Sequence, residues 1–263
     1  MTERVAIILA AGISSRMNPA PQRGGMNTQL PKVLHEVCGR PMLSFVLDAC
    51  RQVGVTKIYA VVGCGAEQVK KRFGNADDIV WVYQEEQKGT AHAVLCCREH
   101  LQDFEGETLV LCGDGPLIRA ETLEKLIETH SPETAVTLAT TILDDPTGYG
   151  RICRDADGNV RGIVEHNDCT SEQLEICEVN PSYYLFNNKI LFEALQKVKP
   201  DNVKGEYYLT DVLSIIVAAG YKVRAVTAVR PEEAIGVNNK AQLDKVNNIM
   251  RQRIEDSKLK IQN

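Results

Sequence analysis

The chain has 263 residues, 44% apolar and 25% charged, which suits one large α/β domain or two small ones and leaves no compositional case for disorder. A net charge of −5 argues against a broad nucleic-acid footprint, which needs clustered Lys and Arg, while a local basic pocket stays compatible with it. Nine cysteines, an odd number without a Cys-x-x-Cys pair, indicate neither zinc nor a disulfide framework.

The N-terminal apolar run is too short for a signal peptide or a membrane span. The expected compartment is therefore a reducing cytoplasm, with no membrane and no nucleic acid among the partners. Val5–Leu9 reads as a first strand, followed by a helix over Pro41–Val53, a strand over Lys57–Val62 and a helix over Ala66–Phe73. That alternation predicts βαβ units and a parallel sheet. The first helix carries Pro41 at its first position, an apolar stripe of Leu43, Val46, Leu47 and Cys50, and Gly54 where a C-terminal cap belongs.

Strands at Ile79–Tyr83, Thr108–Cys112 and Ala135–Ile142, with helices near Thr90–His100 and Glu121–His130, continue the doubly wound pattern. From Gly148 the texture becomes hairpin-like: Arg151–Arg154, a turn at Asp155–Asn159, then Val160–Glu165. Lys240–Ile261 is a polar amphipathic helix with Leu243, Val246, Met250 and Ile254 on one stripe, which could dock on the domain or project from it. The expected fold is α/β, a Rossmann-like, doubly wound, mixed but mainly parallel sheet with a small β flap. The main domain covers 1–239 and a C-terminal helix 240–263, with no hexapeptide repeats of a left-handed β-helix.

Three constellations carry chemistry. Leu9-Ala10-Ala11-Gly12-Ile13-Ser14-Ser15-Arg16, with Pro31-Lys32 later, offers small residues and amide donors to a nucleotide, and Arg16 and Lys32 add positive charge. Taken alone, an Ala-Ala-Gly turn is more often a tight strand-to-helix connection. Gln84-Glu85-Glu86-Gln87-Lys88-Gly89-Thr90 leaves a strand and opens a helix; a Gln amide suits the imide edge of a pyrimidine and Gly89 permits close backbone approach. The plainer reading, a polar loop with Thr90 as helix cap, stays open. Cys112-Gly113-Asp114-Gly115 ends an apolar strand in a carboxylate, at the sheet edge where ligands and a hard metal ion bind; a solvated turn Asp is the alternative.

In this order the segments resemble the uridyltransferase domain of the bacterial bifunctional N-acetylglucosamine-1-phosphate uridyltransferase/glucosamine-1-phosphate acetyltransferases. The resemblance spans about residues 4–255. Its most specific pieces are Leu30-Pro31-Lys32-Val33-Leu34-His35, Asp145-Pro146-Thr147-Gly148-Tyr149-Gly150-Arg151-Ile152, Gly162-Ile163-Val164-Glu165-His166 and Gly205-Glu206-Tyr207-Tyr208-Leu209-Thr210-Asp211.

The resemblance implies a sugar-1-phosphate nucleotidyltransferase that takes UTP and N-acetylglucosamine 1-phosphate, uses Mg²⁺, and forms UDP-N-acetylglucosamine and pyrophosphate. It implies that Leu9, Ala10, Ala11, Gly12, Gln84, Gly89 and Thr90 hold the nucleotide. Gly113, Gly150, Glu165, Asn180 and Tyr208 would line the sugar site, Asp114 and Asn238 would hold the metal, and Arg16, Lys32 and Asp114 would carry the catalysis. The β-helix that would dictate a trimer is absent from this chain, so a monomer or small homo-oligomer is expected. Related enzymes for another sugar or base, and a catalytically silent nucleotide-sugar sensor, are the rival readings.

Two departures stand out. Where the family has a Lys-Gly-Thr-Arg-like run, this chain reads Ile13-Ser14-Ser15-Arg16 and inserts a loop over Asn18–Thr28, expected to order over the triphosphate when UTP binds. Where the family more often has Asn-Thr-Gly, it reads Asn180-Pro181-Ser182, which leaves N-acetylgalactosamine 1-phosphate and glucose 1-phosphate open as alternative sugars.

Overall fold

The computed structural model describes residues 2–12, 17, 30–74 and 76–261; Arg16 and the 18–28 loop lie outside them. In chain order the elements are β1 (Arg4–Ala10), β2 (Glu36–Val37), β3 (Arg40–Pro41), α1 (Met42–Gln52), β4 (Lys57–Val62), α2 (Ala66–Phe73), β5 (Ile79–Tyr83), α3 (Thr90–Leu95), α4 (Arg98–Leu101) and β6 (Glu107–Cys112). They continue with α5 (Ala120–Thr129), β7 (Thr134–Ile142), β8 (Gly150–Arg154), β9 (Val160–Val164), α6 (Ser171–Leu174), β10 (Glu178–Asn187), α7 (Asn188–Leu195), α8 (Asp211–Ala218), β11 (Lys222–Thr227) and α9 (Lys240–Ile261). Short 3₁₀ turns cover Lys32–Leu34, His166–Asp168 and Pro231–Ala234.

The main sheet runs β11-β7-β10-β6-β1-β4-β5. Its right-hand part, β6-β1-β4-β5, is parallel, as strand–helix alternation dictates. Along β1, Val5 and Ile7 enter one apolar cluster while Ala6, Ile8 and Ala10 enter the other. A strand buried on both faces reads as a continuous apolar run, and helices cover both sides. β10 is antiparallel to both β6 and β7, while β11 returns parallel to β7, so the sheet is mixed and mainly parallel. The β8–β9 hairpin hangs from β10 beside residues 179–180 and packs on α8, forming the flap.

Three local expectations need correction. α1 begins at Met42, because Pro41 has extended backbone (φ −53°, ψ 140°) and closes the β2–β3 bridge opposite Glu36. The Thr90–His100 helix is broken: after Leu95 the Cys97 amide bonds back only three residues, to Val94, and α4 starts afresh at Arg98. Gly89 caps α3 and Thr90 is its first residue; the Thr90 hydroxyl instead accepts the Leu209 amide at 2.9 Å.

The C-terminal helix both docks and projects. Val246 and Met250 are buried with Val37, Met42, Leu117 and Val237, and Leu243 packs beside them, whereas Ile254 is 40% exposed. Among the described residues no helix is long and apolar enough to cross a membrane.

Candidate active site

The carboxyl ends of the parallel strands meet two adjacent cavities. Beyond β6 the chain runs through Gly113 to Asp114, whose carbonyl accepts the Val237 amide at 3.0 Å. That bond brings the 236–238 segment alongside the strand tip. Lys32 comes from its 3₁₀ turn, anchored by the buried Val33 and Leu34. Its ammonium donates to Asp114 Oδ2 and, at 2.7 Å, to Asn238 Oδ1. Gly236 lies beside both side chains: a Cβ there would stand in ordinary contact, 3.7 Å from Asp114 Oδ1 and 3.8 Å from Asn238 Nδ2.

A carboxylate and an amide oxygen that already share one cation fit a hard divalent ion. Among the described residues no group of three or more His, Cys, Asp or Glu side chains could hold a metal. Asp114 and Asn238 could supply two oxygen ligands to a hard divalent ion that takes the rest of its shell from water and phosphate oxygens.

The first cavity, about 250 Å³, is bounded by Leu9, Ala11, Gly12, Gln84, Gln87, Gly89, Thr90, Ala93, Cys112, Asp114 and Glu206. Gln84, 4% exposed, follows β5; its amide nitrogen donates to the Gly89 carbonyl (3.3 Å) and lies 3.0 Å from His92 Nδ1. Gln87 Nε2 donates to the Ala11 carbonyl at 2.5 Å, tying the second constellation to the first. Gly63 permits that bond, since a Cβ would fall 3.0 Å from both partners. Gly89 has φ +116°, and a Cβ would lie 2.4 Å from the Tyr207 carbonyl oxygen. Only glycine lets the 207–209 segment close this wall.

The second cavity, about 350 Å³, shares Cys112 and Asp114 with the first and is completed by the 147–150 loop, Glu165, Asn180, Pro181, Ser182, Ala234, Gly236, Asn238, Asn239 and Gln242. Glu165 accepts the Thr210 hydroxyl at 3.1 Å, and burial lifts its carboxyl above the usual range. Gly150 admits the Ile163 side chain, whose Cγ2 would touch a Cβ at 2.8 Å. Asn180 donates to the Tyr184 hydroxyl (2.6 Å) and accepts the Ser182 amide (3.0 Å). Pro181 and Ser182 form an irregularity in β10, with Ser182 in the left-handed region at φ +68°.

Of the residues expected from the sequence, Leu9, Ala11, Gly12, Gln84, Gly89 and Thr90 meet at the first cavity, and Gly150, Glu165 and Asn180 at the second, with Asp114 on both. Ala10, Gly113 and Tyr208 line neither cavity. Ala10 points into the opposite core because side chains alternate along β1, and Gly113 is wedged against Leu9 and Val33. Tyr208 is 8% exposed beside Glu165, Asp168, Glu206 and Asp211, and burial first, then these carboxylates, push its phenol up to about 12. Gln87, Cys112, Ser182, Gly236 and Gln242 line the cavities without a strong sequence signal. Gln87 sits in the same polar run as Gln84, whereas Cys112 reads as one more apolar strand residue.

Two adjacent cavities joined at a strand-tip carboxylate lie where open α/β sheets bind their ligands, and the second is the more polar of the two. The family model described as nucleotidyl transferase matches residues 5–230, and the chain belongs to that family. It is 49% identical over 255 residues to the bifunctional protein GlmU of Geobacillus thermodenitrificans, covering 97% of this chain and 53% of that protein. It is 44% identical over 266 residues to the protein of the same name from Listeria welshimeri, covering 99% of this chain and 55% of that protein. The chain thus spans about half the length of these relatives.

Proposed function

We propose that this chain joins UTP to N-acetylglucosamine 1-phosphate, forming UDP-N-acetylglucosamine and pyrophosphate. The observation that carries the reading is the common wall of the two cavities: Asp114 borders the apolar first chamber and the polar second one, with Asn238 and Lys32 beside it. Gln84, Gly89 and Thr90 would receive uracil, and the Ala11–Gly12 backbone the ribose and phosphates. Gly150, Glu165 and Asn180 would seat the amino sugar.

A phosphate oxygen of the sugar phosphate attacks the α-phosphorus of UTP in line, the bond to the β-phosphate bridging oxygen breaks, and pyrophosphate leaves. The nucleophile is already ionised at neutral pH, so no general base is required. Lys32, with Arg16 from outside the described residues, neutralises phosphate charge and holds the reactants in line. Asp114 and Asn238 would hold Mg²⁺, which supplies charge neutralisation to the phosphates when bound.

A coupled pyrophosphate-release assay across UTP, CTP and GTP with several sugar 1-phosphates tests this. The highest kcat/KM is expected for UTP with N-acetylglucosamine 1-phosphate. Absence of turnover with every pair, despite tight binding of a nucleotide sugar, would overturn it in favour of a sensing module. A preference for another sugar would move the assignment to a sister enzyme.

A further inference from the structure

Beneath the second cavity the chain buries a carboxylate that no step above uses. Glu233, 1% exposed, lies in the 3₁₀ turn Pro231–Ala234. Its Oε2 accepts the Thr122 hydroxyl from α5 at 2.7 Å, and its Oε1 faces Arg119 Nε at 3.4 Å. Arg253 of α9 closes the far side, donating to the Leu117 carbonyl at 2.6 Å and reaching Glu232 at 3.4 Å. The backbone of the same turn is held from the opposite direction. The Tyr183 hydroxyl donates to the Glu233 carbonyl (2.9 Å), and the Tyr149 hydroxyl donates to the Ala234 carbonyl (3.1 Å). From Ala234 the chain runs through Gly236 to Val237, which bonds the Asp114 carbonyl, and to Asn238.

A buried ion pair is weak evidence for stability, because apolar side chains of similar volume often hold a core as well or better. What it adds is a fixed direction for a short turn. We propose that Glu233 is a positioning residue: hydrogen-bonded by Thr122 and facing the charge of Arg119, it fixes the turn from which Asn238 is presented to Asp114. It thereby sets the geometry of the cation pair and the Ala234–Gly236 wall of the second cavity. Its turnover consequences rest on the function proposed above; its effect on cation binding rests only on Asp114 and Asn238 as the cation pair.

Glu233→Gln keeps the shape and an acceptor for Thr122 but removes the charge facing Arg119. Mn²⁺ affinity of the substrate-free protein, measured by electron paramagnetic resonance, is expected to fall about tenfold, the usual cost of losing support behind a metal ligand. The KM for sugar 1-phosphate should rise and kcat fall, while UTP affinity measured in EDTA stays within about twofold, since the side chains of Glu233, Thr122 and Arg119 bond none of the residues lining the first cavity. Thr122→Val should move the same readouts in the same direction and Thr122→Ser should restore them, which covers the case in which Glu233→Gln fails to fold. A folded Glu233→Gln or Thr122→Val protein with wild-type Mn²⁺ affinity and wild-type sugar KM would overturn the proposal, even with a lowered Tm. Should the wild type turn over no sugar phosphate, the proposed function falls and the Mn²⁺ comparison still decides the role of Glu233.

Discussion

At Gly89 the backbone φ of +116° and the Tyr207 carbonyl pressed against the missing Cβ act together. Gly89→Ala must adopt a conformation costing about 1–3 kcal/mol and also push the 207 segment outward. It is expected to lower unfolding free energy by at least that amount in urea titrations and to raise the KM for UTP more than that for the sugar phosphate. Asp211 shows an electrostatic cost. Burial, then Glu165 and Asp168 nearby, push its carboxyl up from 3.8 to about 6. Between these values the folded protein holds a proton that the unfolded chain has released, so stability falls as pH rises through the window, and above about pH 6 the whole penalty remains. Asp211→Asn should therefore stabilise the protein by about 1–2 kcal/mol at pH 7.5, after discounting for partial exposure, with the gain shrinking as pH drops toward 4. An equal gain at both ends of that range would rule out this origin.

Among the elements, those whose pattern is local were readable. β4 and β5 match their apolar runs to the residue, and α9 covers Lys240–Ile261 as its 3.6-residue periodicity indicates. β10 was not readable, because its place between β6 and β7 depends on partners such as Val110 and Leu138, tens of residues away. Nothing in Glu178–Asn187 announces that choice. β2 and β3 are too short to leave a period, and their ladder becomes visible only through α9 packed on it. The half of α9 that docks should carry its stability contribution. Val246→Ala, at a fully buried position, is expected to cost about 2 kcal/mol in thermal or chemical unfolding. Ile254→Ser, on the exposed part, should stay within about 0.5 kcal/mol of wild type.

Across the whole molecule, the site is assembled from segments as distant in sequence as Lys32, Asp114 and Asn238. The resemblance named those three residues, and side-chain hydrogen bonds bring them together: Lys32, from its 3₁₀ turn, bridges Asp114 just beyond β6 and Asn238 on the segment after β11. The brace of Glu233, Thr122 and Arg119 was not legible, since single Glu, Thr and Arg residues on a sequence carry no sign of burial. A ligand that binds only the assembled edge stabilises the entire fold by linkage, about 2.7 kcal/mol at a hundred times its Kd. UTP with Mg²⁺ is therefore expected to raise Tm by several degrees, and Asp114→Ala to remove most of that rise and the turnover while leaving the ligand-free Tm near wild type. A metal-independent shift that survives Asp114→Ala would contradict the proposed cation pair. Because Cys112 and Asp114 belong to both chambers, only a thin partition of side chains separates them. In the proposed reaction the product itself, uracil at one end and a hexosamine at the other with a diphosphate between, would be gripped from both sides. Once one ring lets go, the other holds it at high effective concentration beside the emptied pocket, so the nucleotide sugar is expected to leave more slowly than either half alone and to show as product inhibition in the turnover assay.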